Sequence, residues 1–478
     1  MTDVLASAEV RTMRNFVGGR WVPSTGLDTL LSRDPSDGSA LARVPLSAPD
    51  DVDEGIAAAA AALPSWRAVS VLVRARALFA FRATLDAARE DLAQLVSTDM
   101  GKTLDDARGE VNRGIESVEA ACAAPHLLKG ETLEGVGGGV DVEMVRQPVG
   151  VVAAITPFNF PAMIPLWFVP YAIACGNTVV LKPSERDPLA SERIVQLAEG
   201  IFPPGVLNLV HGDRSVVDHL LEHPGVDAVS FVGSASVARH VYSRAAAAGK
   251  RVQALGGAKN AMVVMPDADP SVTAAGIASS AFGAAGQRCL AGSVAVLVGS
   301  REEQDASLEV IVEAARSAEI SPMVDVAARE RVESAVDDAA REGVPILVDG
   351  RCSGGTGGAE LRPTVVEPGD PDSRLVREEL FGPVLSIVRA DTLADAILWM
   401  NAGRYGNAAV IFTRSGAAAR EFRATVEAGM LGVNVGVAAP VAWFPFSGWK
   451  DSMAGDLHAN GADAIEFFTR KKVVTSRW

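Results

Sequence analysis

The sequence predicts an α/β protein of two domains built on parallel sheets, with a small β extension, and three observations predict it. Between Val151 and Ala248, short apolar runs at Val151-Val-Ala-Ala-Ile155, Thr178-Val-Val-Leu-Lys182, Val206-Leu-Asn-Leu-Val-His211 and Ala228-Val-Ser-Phe-Val-Gly233 alternate with helical stretches. That rhythm marks strands covered on both faces by helices. A second unit of the same kind continues to about Gly436, with strands expected at 293–299, 344–348 and 384–388. The closing stretch Glu466-Phe-Phe-Thr-Arg-Lys-Lys-Val-Val-Thr-Ser476 is β-prone and half polar, as suits a strand that pairs within the chain or with a partner subunit. At 478 residues the chain is long enough for two or three domains.

Taken in order, residues 15–50 read as short strands, Asn15-Phe-Val-Gly-Gly-Arg-Trp-Val-Pro23 among them, broken by Gly, Pro and Asp into turns and an edge hairpin. Helical patterning begins at Ala48-Pro-Asp-Asp-Val-Asp-Glu54, where acidic residues occupy a first turn, and runs through the alanine block 57–62. A second pattern spans Val71 to Met100, with Leu78, Phe81, Leu85, Leu92 and Leu95 on one face and Gly101 as its stop. A third covers Thr103 to Leu128. Packing accounts for nearly every residue of these helices. In the parallel unit, helical stretches end at Gly176, span Leu189 to Gly200 and span Val237 to Ala248. Arg251-Val-Gln-Ala-Leu255 and Met262-Val-Val-Met265 flank Gly256-Gly-Ala-Lys-Asn260, and Gly354-Gly-Thr-Gly-Gly358 reads as a surface turn.

Composition excludes several classes. Hydrophobic residues make up 48% and charged residues 22%, which fits a globular rather than a disordered chain. A net charge of −15 argues against nucleic acid or an anionic membrane as partner. The longest apolar stretch, Phe158 to Cys175, carries three prolines and an asparagine, which argues against a membrane span. Cys122, Cys175, Cys289 and Cys352 are scattered without a CxxC pair, and the six histidines include no HExxH. Neither a disulfide framework nor a metal site is expected. The N-terminus shows no basic region followed by an apolar core, so no signal peptide is expected and a cytoplasmic location is.

The chemistry centres on Ala281-Phe-Gly-Ala-Ala-Gly-Gln-Arg-Cys-Leu-Ala-Gly-Ser-Val-Ala295. Small residues surround one thiol, Cys289, and a guanidinium directly precedes it. Small neighbours let a substrate reach the sulfur, and a cation favours the nucleophilic thiolate. A buried structural cysteine is the plainer reading of these residues. No GxGxxG follows a strand and no GxxxxGK[ST] occurs. Gly233-Ser-Ala-Ser-Val-Ala238 does open a helix after a strand, so its free N–H groups could receive a pyrophosphate.

Six motifs stand in a specific order: Pro157-Phe-Asn-Phe-Pro161, Lys182-Pro-Ser-Glu185, Phe231-Val-Gly-Ser234, Leu255-Gly-Gly257, Gly286-Gln-Arg-Cys289 and Glu378-Glu-Leu-Phe-Gly-Pro383. Over essentially the whole chain this set resembles the aldehyde dehydrogenase superfamily. Thr156-Pro-Phe-Asn-Phe-Pro-Ala-Met163, Gly257-Ala-Lys-Asn260, Phe444-Pro-Phe-Ser-Gly-Trp-Lys-Asp451, Gly455-Asp-Leu-His458 and the tail resemble its CoA-dependent methylmalonate-semialdehyde (malonate-semialdehyde) dehydrogenases. The resemblance implies an aldehyde dehydrogenase-like fold with a Rossmann-type NAD domain. Residues 1–125 and 149–250 would form that domain, 126–148 an oligomerisation hairpin, 251–440 a catalytic α/β domain, and 441–478 a return segment and oligomerisation tail. A homodimer or homotetramer is implied with it.

Residue by residue, the resemblance makes Cys289 the nucleophile and Asn159 the oxyanion donor, a neutral amide that stabilises an alkoxide without protonating it. Lys182 and Glu185 would hold the adenosine ribose, with Glu185 favouring NAD over NADP. Thr156, Phe158, Arg186 and Leu255 would belong to the NAD site, Gly233 and Ser234 to the pyrophosphate, and Glu379 and Phe381 to the nicotinamide ribose and ring. Arg113 and Arg288 would grip a substrate carboxylate, and Arg288 could also lower the Cys289 pKa. Read alone, Asn159 is a turn residue, Lys182 and Glu185 are a surface ion pair, and Arg113 is a solvated helix charge.

Three departures matter. Hydrolytic members carry a general-base Glu before Leu-Gly-Gly, and this chain has Ala254 there, so the acyl group would await CoA instead of water. The segment Glu319-Ile-Ser-Pro-Met-Val-Asp325 is shorter than the family's loop, and Ala261 stands where a His often follows Gly-Ala-Lys-Asn. The implied reaction is NAD-dependent, CoA-acylating oxidation of a small carboxylated aldehyde with loss of CO2. A hydrolytic NAD-dependent aldehyde dehydrogenase is the alternative. A cysteine hydrolase using His240 has the wrong residue order, and a non-catalytic dinucleotide binder would have no use for Cys289, Asn159 and Glu379 together.

Overall fold

The computed structural model describes residues 10–319, 321–351 and 358–478. Its first sheet has eight strands in the order Arg20–Val22, Asn15–Val17, Leu207–Leu209, Thr178–Lys182, Val151–Ile155, Ala228–Val232, Arg251–Leu255, Met453–Ala454. The five strands from Leu207–Leu209 to Arg251–Leu255 are parallel. Every residue of Val151–Ile155, Thr178–Lys182 and Ala228–Val232 is buried, because helices cover both faces. Helix Met163–Ala174, buried along its whole length, lies in one core layer. Residues of helices Pro49–Ala68, Arg214–Glu222 and Ala235–Ala247 fill the other.

From Val151–Ile155 the chain adds strands on one side and then crosses back to add Ala228–Val232 on the other. Such a reversal opens a crevice beyond the carboxyl ends of the two strands, where open α/β sheets bind ligands. Arg251–Leu255 extends this same sheet. The change of sheet therefore falls after Leu255, and a boundary at 250/251 puts that strand on the wrong side.

The second sheet runs Ile346–Val348, Thr364–Val366, Val384–Ala390, Gly292–Val298, Asn260–Val264, Ala408–Phe412, Met430–Val433. All its pairs are parallel except the first. The tail strand Thr469–Arg477 pairs antiparallel with Val140–Pro148 of the same chain, and Glu131–Gly137 completes a three-stranded extension. Asn15–Val17 and Arg20–Val22 form the expected edge hairpin.

Two helical expectations are revised. The stretch from 71 to 100 is two helices, Val71–Ala87 and Arg89–Met100, separated at Ala88 (φ −99°, ψ 14°). The break resets the helical phase, so Ala93, Val96 and Met100 turn inward and Leu95 is only half-buried. The third pattern is helix Leu104–Cys122 followed by a short turn, Ala124–Leu127, because Pro125 has no N–H to continue the ladder. The first helix outlasts its alanine block and ends at Ala68. Gly101 caps its helix in the left-handed conformation (φ 80°), as expected. The Gly354–Gly357 part of the glycine run, together with Cys352 and Ile320, lies outside the described residues. Among the described residues no single helix is long and apolar enough to cross a membrane.

Candidate active site

Cys289 sits between helix Pro270–Phe282 and strand Gly292–Val298, just after a turn that is left-handed at three successive residues: Ala284 (φ 50°), Ala285 (φ 52°) and Gly286 (φ 67°). Each non-glycine residue in that region costs about 1–2 kcal/mol, so surrounding contacts must hold it. Both alanines are buried, and the Ala284 N–H donates to the Asp106 carboxylate at 3.2 Å. At Gly286 a Cβ would lie 2.4 Å from the Gly382 carbonyl oxygen, so no other residue fits. The Cys289 carbonyl accepts from the amides of Asn260 (2.9 Å) and Asn407 (2.8 Å). Such convergent contacts fix the backbone that carries the sulfur.

The half-buried Cys289 thiol is pushed up to about 12, first by burial and then by the Glu379 carboxylate. The N–H groups of Cys289 and Leu290 and the Arg288 guanidinium pull the other way without overcoming it. Arg288 does favour the thiolate, as its position suggests, but it does not set the protonation state of the resting enzyme.

Asn159 follows strand Val151–Ile155, and its amide nitrogen donates to the Gln287 carbonyl at 3.0 Å, two residues before Cys289. Its own carbonyl accepts from Lys102 Nζ (2.7 Å). Lys102 forms a fully buried ion pair with Glu110, whose other oxygen accepts from Ala162 N (2.8 Å) and Met163 N (3.1 Å) at the start of helix Met163–Ala174. The loop bearing Asn159 is thus pinned by a buried charge pair and a helix N-terminus.

Helix Leu104–Cys122 presents Asp106, Glu110 and Arg113 at positions i, i+4 and i+7, which is one helical face. Asp106 binds Arg288 Nη2 at 2.6 Å, and Arg113 pairs with Glu116 at 2.9 Å and is partly exposed. The two arginines therefore lie around one helix, each holding a carboxylate of that helix.

The residues expected at NAD gather at the carboxyl ends of the parallel strands. Lys182 Nζ meets Glu185 at 2.7 Å. Burial would raise the Glu185 carboxyl, but Lys182 outweighs it and holds the group below its ordinary value. Gly233 N–H donates to the Leu255 carbonyl (3.1 Å), and Ser234 starts helix Ala235–Ala247 without a side-chain cap, which leaves its first N–H groups open to an anion. The Phe158 and Phe381 rings meet edge-to-face at 5.8 Å, and the Arg186 guanidinium lies 5.4 Å above Phe158. Phe381 is itself left-handed (φ 52°). Glu379 accepts from Ala258 N at 2.9 Å, and burial raises it to about 7. Thr156 Oγ1 is buried without a hydrogen-bond partner, a polar atom left for a ligand. This set fits a dinucleotide.

Asp106, Lys102, Glu110 and Asn407 do not stand out in the sequence; the structure sets Asp106 and Asn407, with Asn260, against the reactive segment and Lys102 and Glu110 against the loop that bears Asn159. Ala254 is fully buried and packs in an apolar cluster with Phe231 and Ala454, so its position offers no base. Ala261 lies buried in strand Asn260–Val264. His240 binds Asp218 at 2.6 Å on the outer helices, which removes the histidine a cysteine hydrolase would need. The structure gathers Asp53, His219 and His223 within 4.8 Å of one another, a grouping that spacing alone does not disclose. In it, His219 is bonded to Asp53 (2.5 Å), and His223 Nδ1 accepts from Gly225 N–H.

Residues 21–474 match the model of the aldehyde dehydrogenase family. Malonate-semialdehyde dehydrogenase 1 of Geobacillus kaustophilus (strain HTA426) is 48% identical over 99% of this chain and 99% of its own. The crystal structure of a putative methylmalonate-semialdehyde dehydrogenase from Sinorhizobium meliloti 1021, complexed with NAD, superposes with a TM-score of 0.96 at 41% identity, over 98% of this chain and 99% of that one. Methylmalonate-semialdehyde dehydrogenase from Oceanimonas doudoroffii gives 0.95 at 42% identity, over 98% of this chain and 99% of that one. With the Cys289–Asn159 geometry at the mouth of a switched parallel sheet, these similarities establish that the chain belongs to the aldehyde dehydrogenase family.

Proposed function

We propose that the chain oxidises malonate semialdehyde or methylmalonate semialdehyde with NAD and transfers the acyl group to CoA, with loss of CO2. The observation that carries this reading is the Arg288 guanidinium, adjacent in sequence to Cys289 and oriented by the same helix that bears Arg113. Two guanidiniums suit a carboxylate at the far end of a short aldehyde. The relatives named for such semialdehydes support it.

In this mechanism Cys289 releases its proton to solvent water and its sulfur bonds to the aldehyde carbon, while Asn159 and the Cys289 N–H receive the developing alkoxide. NAD, held by Lys182, Glu185, Glu379 and the strand-end loops, supplies the hydride acceptor when bound. Cys289 then holds the acyl group as a thioester with its carboxylate beside Arg288 and Arg113. Cleavage of the bond to that carboxylate releases CO2, and a proton replaces it on the α-carbon. Attack by the CoA thiolate expels the Cys289 thiolate and gives acetyl-CoA or propionyl-CoA. Water is a poor competitor because Ala254 cannot activate it.

Without CoA, malonate semialdehyde should yield a burst of NADH close to one equivalent per Cys289, and CoA should restore steady turnover. Stopped-flow absorbance of NADH reads both. Full turnover in the absence of CoA would establish the hydrolytic alternative instead. Arg113→Ala should lower kcat/KM for malonate semialdehyde about ten- to a hundredfold through KM, and leave propanal within about threefold. Equal losses on the two aldehydes would remove Arg113 from the carboxylate site.

A further inference from the structure

We infer that Asp106 is a positioning residue that sets the preference for carboxylated aldehydes, holding the Arg288 guanidinium with one carboxylate oxygen and the left-handed turn ahead of Cys289 with the other. The inference rests on the reading of Arg288 as a carboxylate receptor.

Asp106 is an ordinary acidic residue in the first turn of a helix, a place where a carboxylate is favourable in any protein. Its contacts are not ordinary. Thr103 Oγ1 accepts from Asp106 N at 3.2 Å and fixes its backbone. Oδ1 accepts from Arg288 Nη2 at 2.6 Å, across 182 residues of chain. Oδ2 accepts from Ala284 N at 3.2 Å, the first of the three left-handed residues. One carboxylate thus joins the guanidinium to the turn that presents the sulfur.

The remaining surroundings of Arg288 are equally restrictive. Its Nη1 reaches the Ser279 carbonyl at 3.4 Å. A Cβ on Gly283 would lie 2.7 Å from Nη2 and 2.9 Å from Cζ, so the guanidinium packs directly against the Gly283 backbone, and a side chain there would push it out of this place. The Arg288 side chain is 15% exposed. A guanidinium has five N–H donors, and these two bonds leave the others for a ligand. Most exposed ion pairs hold neither partner in one geometry. Here the carboxylate is tied to backbone at both ends of its reach, so the free donors of Arg288 keep one direction relative to Cys289. A substrate whose carboxylate and carbonyl are separated by one carbon needs that fixed separation, and a plain aldehyde does not.

The test compares malonate semialdehyde with propanal in the wild type, Asp106→Ala and Asp106→Asn. The asparagine variant keeps the shape but can accept from only one of the two donors. The ratio of kcat/KM for the two aldehydes should fall about tenfold or more in Asp106→Ala, chiefly through the KM for malonate semialdehyde, and by a smaller factor in Asp106→Asn. Equal losses on both aldehydes, with the ratio preserved, would overturn the inference and leave Asp106 as a support of the turn alone. If Asp106→Ala does not fold, as judged by NADH fluorescence on binding, the ratio in Asp106→Asn decides in the same way. A wild type with no preference for the carboxylated aldehyde would overturn the carboxylate reading of Arg288 itself, and the inference with it.

Discussion

Cys289→Ala should abolish aldehyde oxidation, lowering kcat/KM by about four to six orders of magnitude. Among the described residues no other thiol can replace the sulfur: Cys122 and Cys175 are buried in the core, away from the loop that carries Asn159. The NADH burst should vanish while NADH binding, read by its fluorescence, stays within about twofold. A remaining burst would place the acyl group on another residue. The protonation state of the thiol adds a second readout. With its pKa raised to about 12, Cys289 is almost wholly protonated near neutrality in the ligand-free enzyme. Its alkylation by iodoacetamide, followed by peptide mass, should therefore rise about tenfold per pH unit from 7 to 9 without a plateau. A plateau below pH 8 would show that the resting enzyme already holds a thiolate.

Asn159→Ala should follow in size, with kcat reduced about a hundred- to a thousandfold and KM changed little, the signature of a donor used mainly in the transition state. The side chain is well placed for this because its loop is held independently, by Lys102 on the Asn159 carbonyl and by Glu110 on the N–H groups of Ala162 and Met163. Truncating the amide removes its bond to the Gln287 carbonyl but leaves those bonds in place, so melting temperature should fall by no more than several degrees. A raised KM with unchanged kcat would mean that Asn159 only grips the substrate.

The sequence discloses the chemistry better than the support. Cys289, Asn159, Glu185 and Glu379 stand at the ends of strands or in loops, where short motifs with Gly and Pro mark their surroundings. Asp106, Lys102 and Asn407 carry no such mark. Each looks like a surface helix charge or a loop polar group, and each acquires its meaning from a partner 182, 57 or 118 residues away. Only the folded chain brings those pairs together. The break at Ala88 is hidden for another reason. Alanine is the best helix former, and the interruption arises from how two helices pack rather than from local preference. Arg251–Leu255 reads plainly as a strand, but nothing in its own residues tells which of two parallel sheets it joins.

The tail strand has a bearing on how the molecule is made. Arg470 bonds the carbonyl of Val149, which precedes it by 321 residues. At ribosomal rates of roughly 5–20 residues per second, Val140–Pro148 emerges on the order of tens of seconds before the strand that will cover its edge. During that interval one margin of the nascent extension shows unpaired N–H and C=O groups, the feature that invites pairing with another chain. Glu131–Gly137 can shield only the opposite margin. Synthesis therefore leaves a window in which neighbouring nascent chains can exchange strands, and crowding on a polysome or a delay in termination would lengthen it.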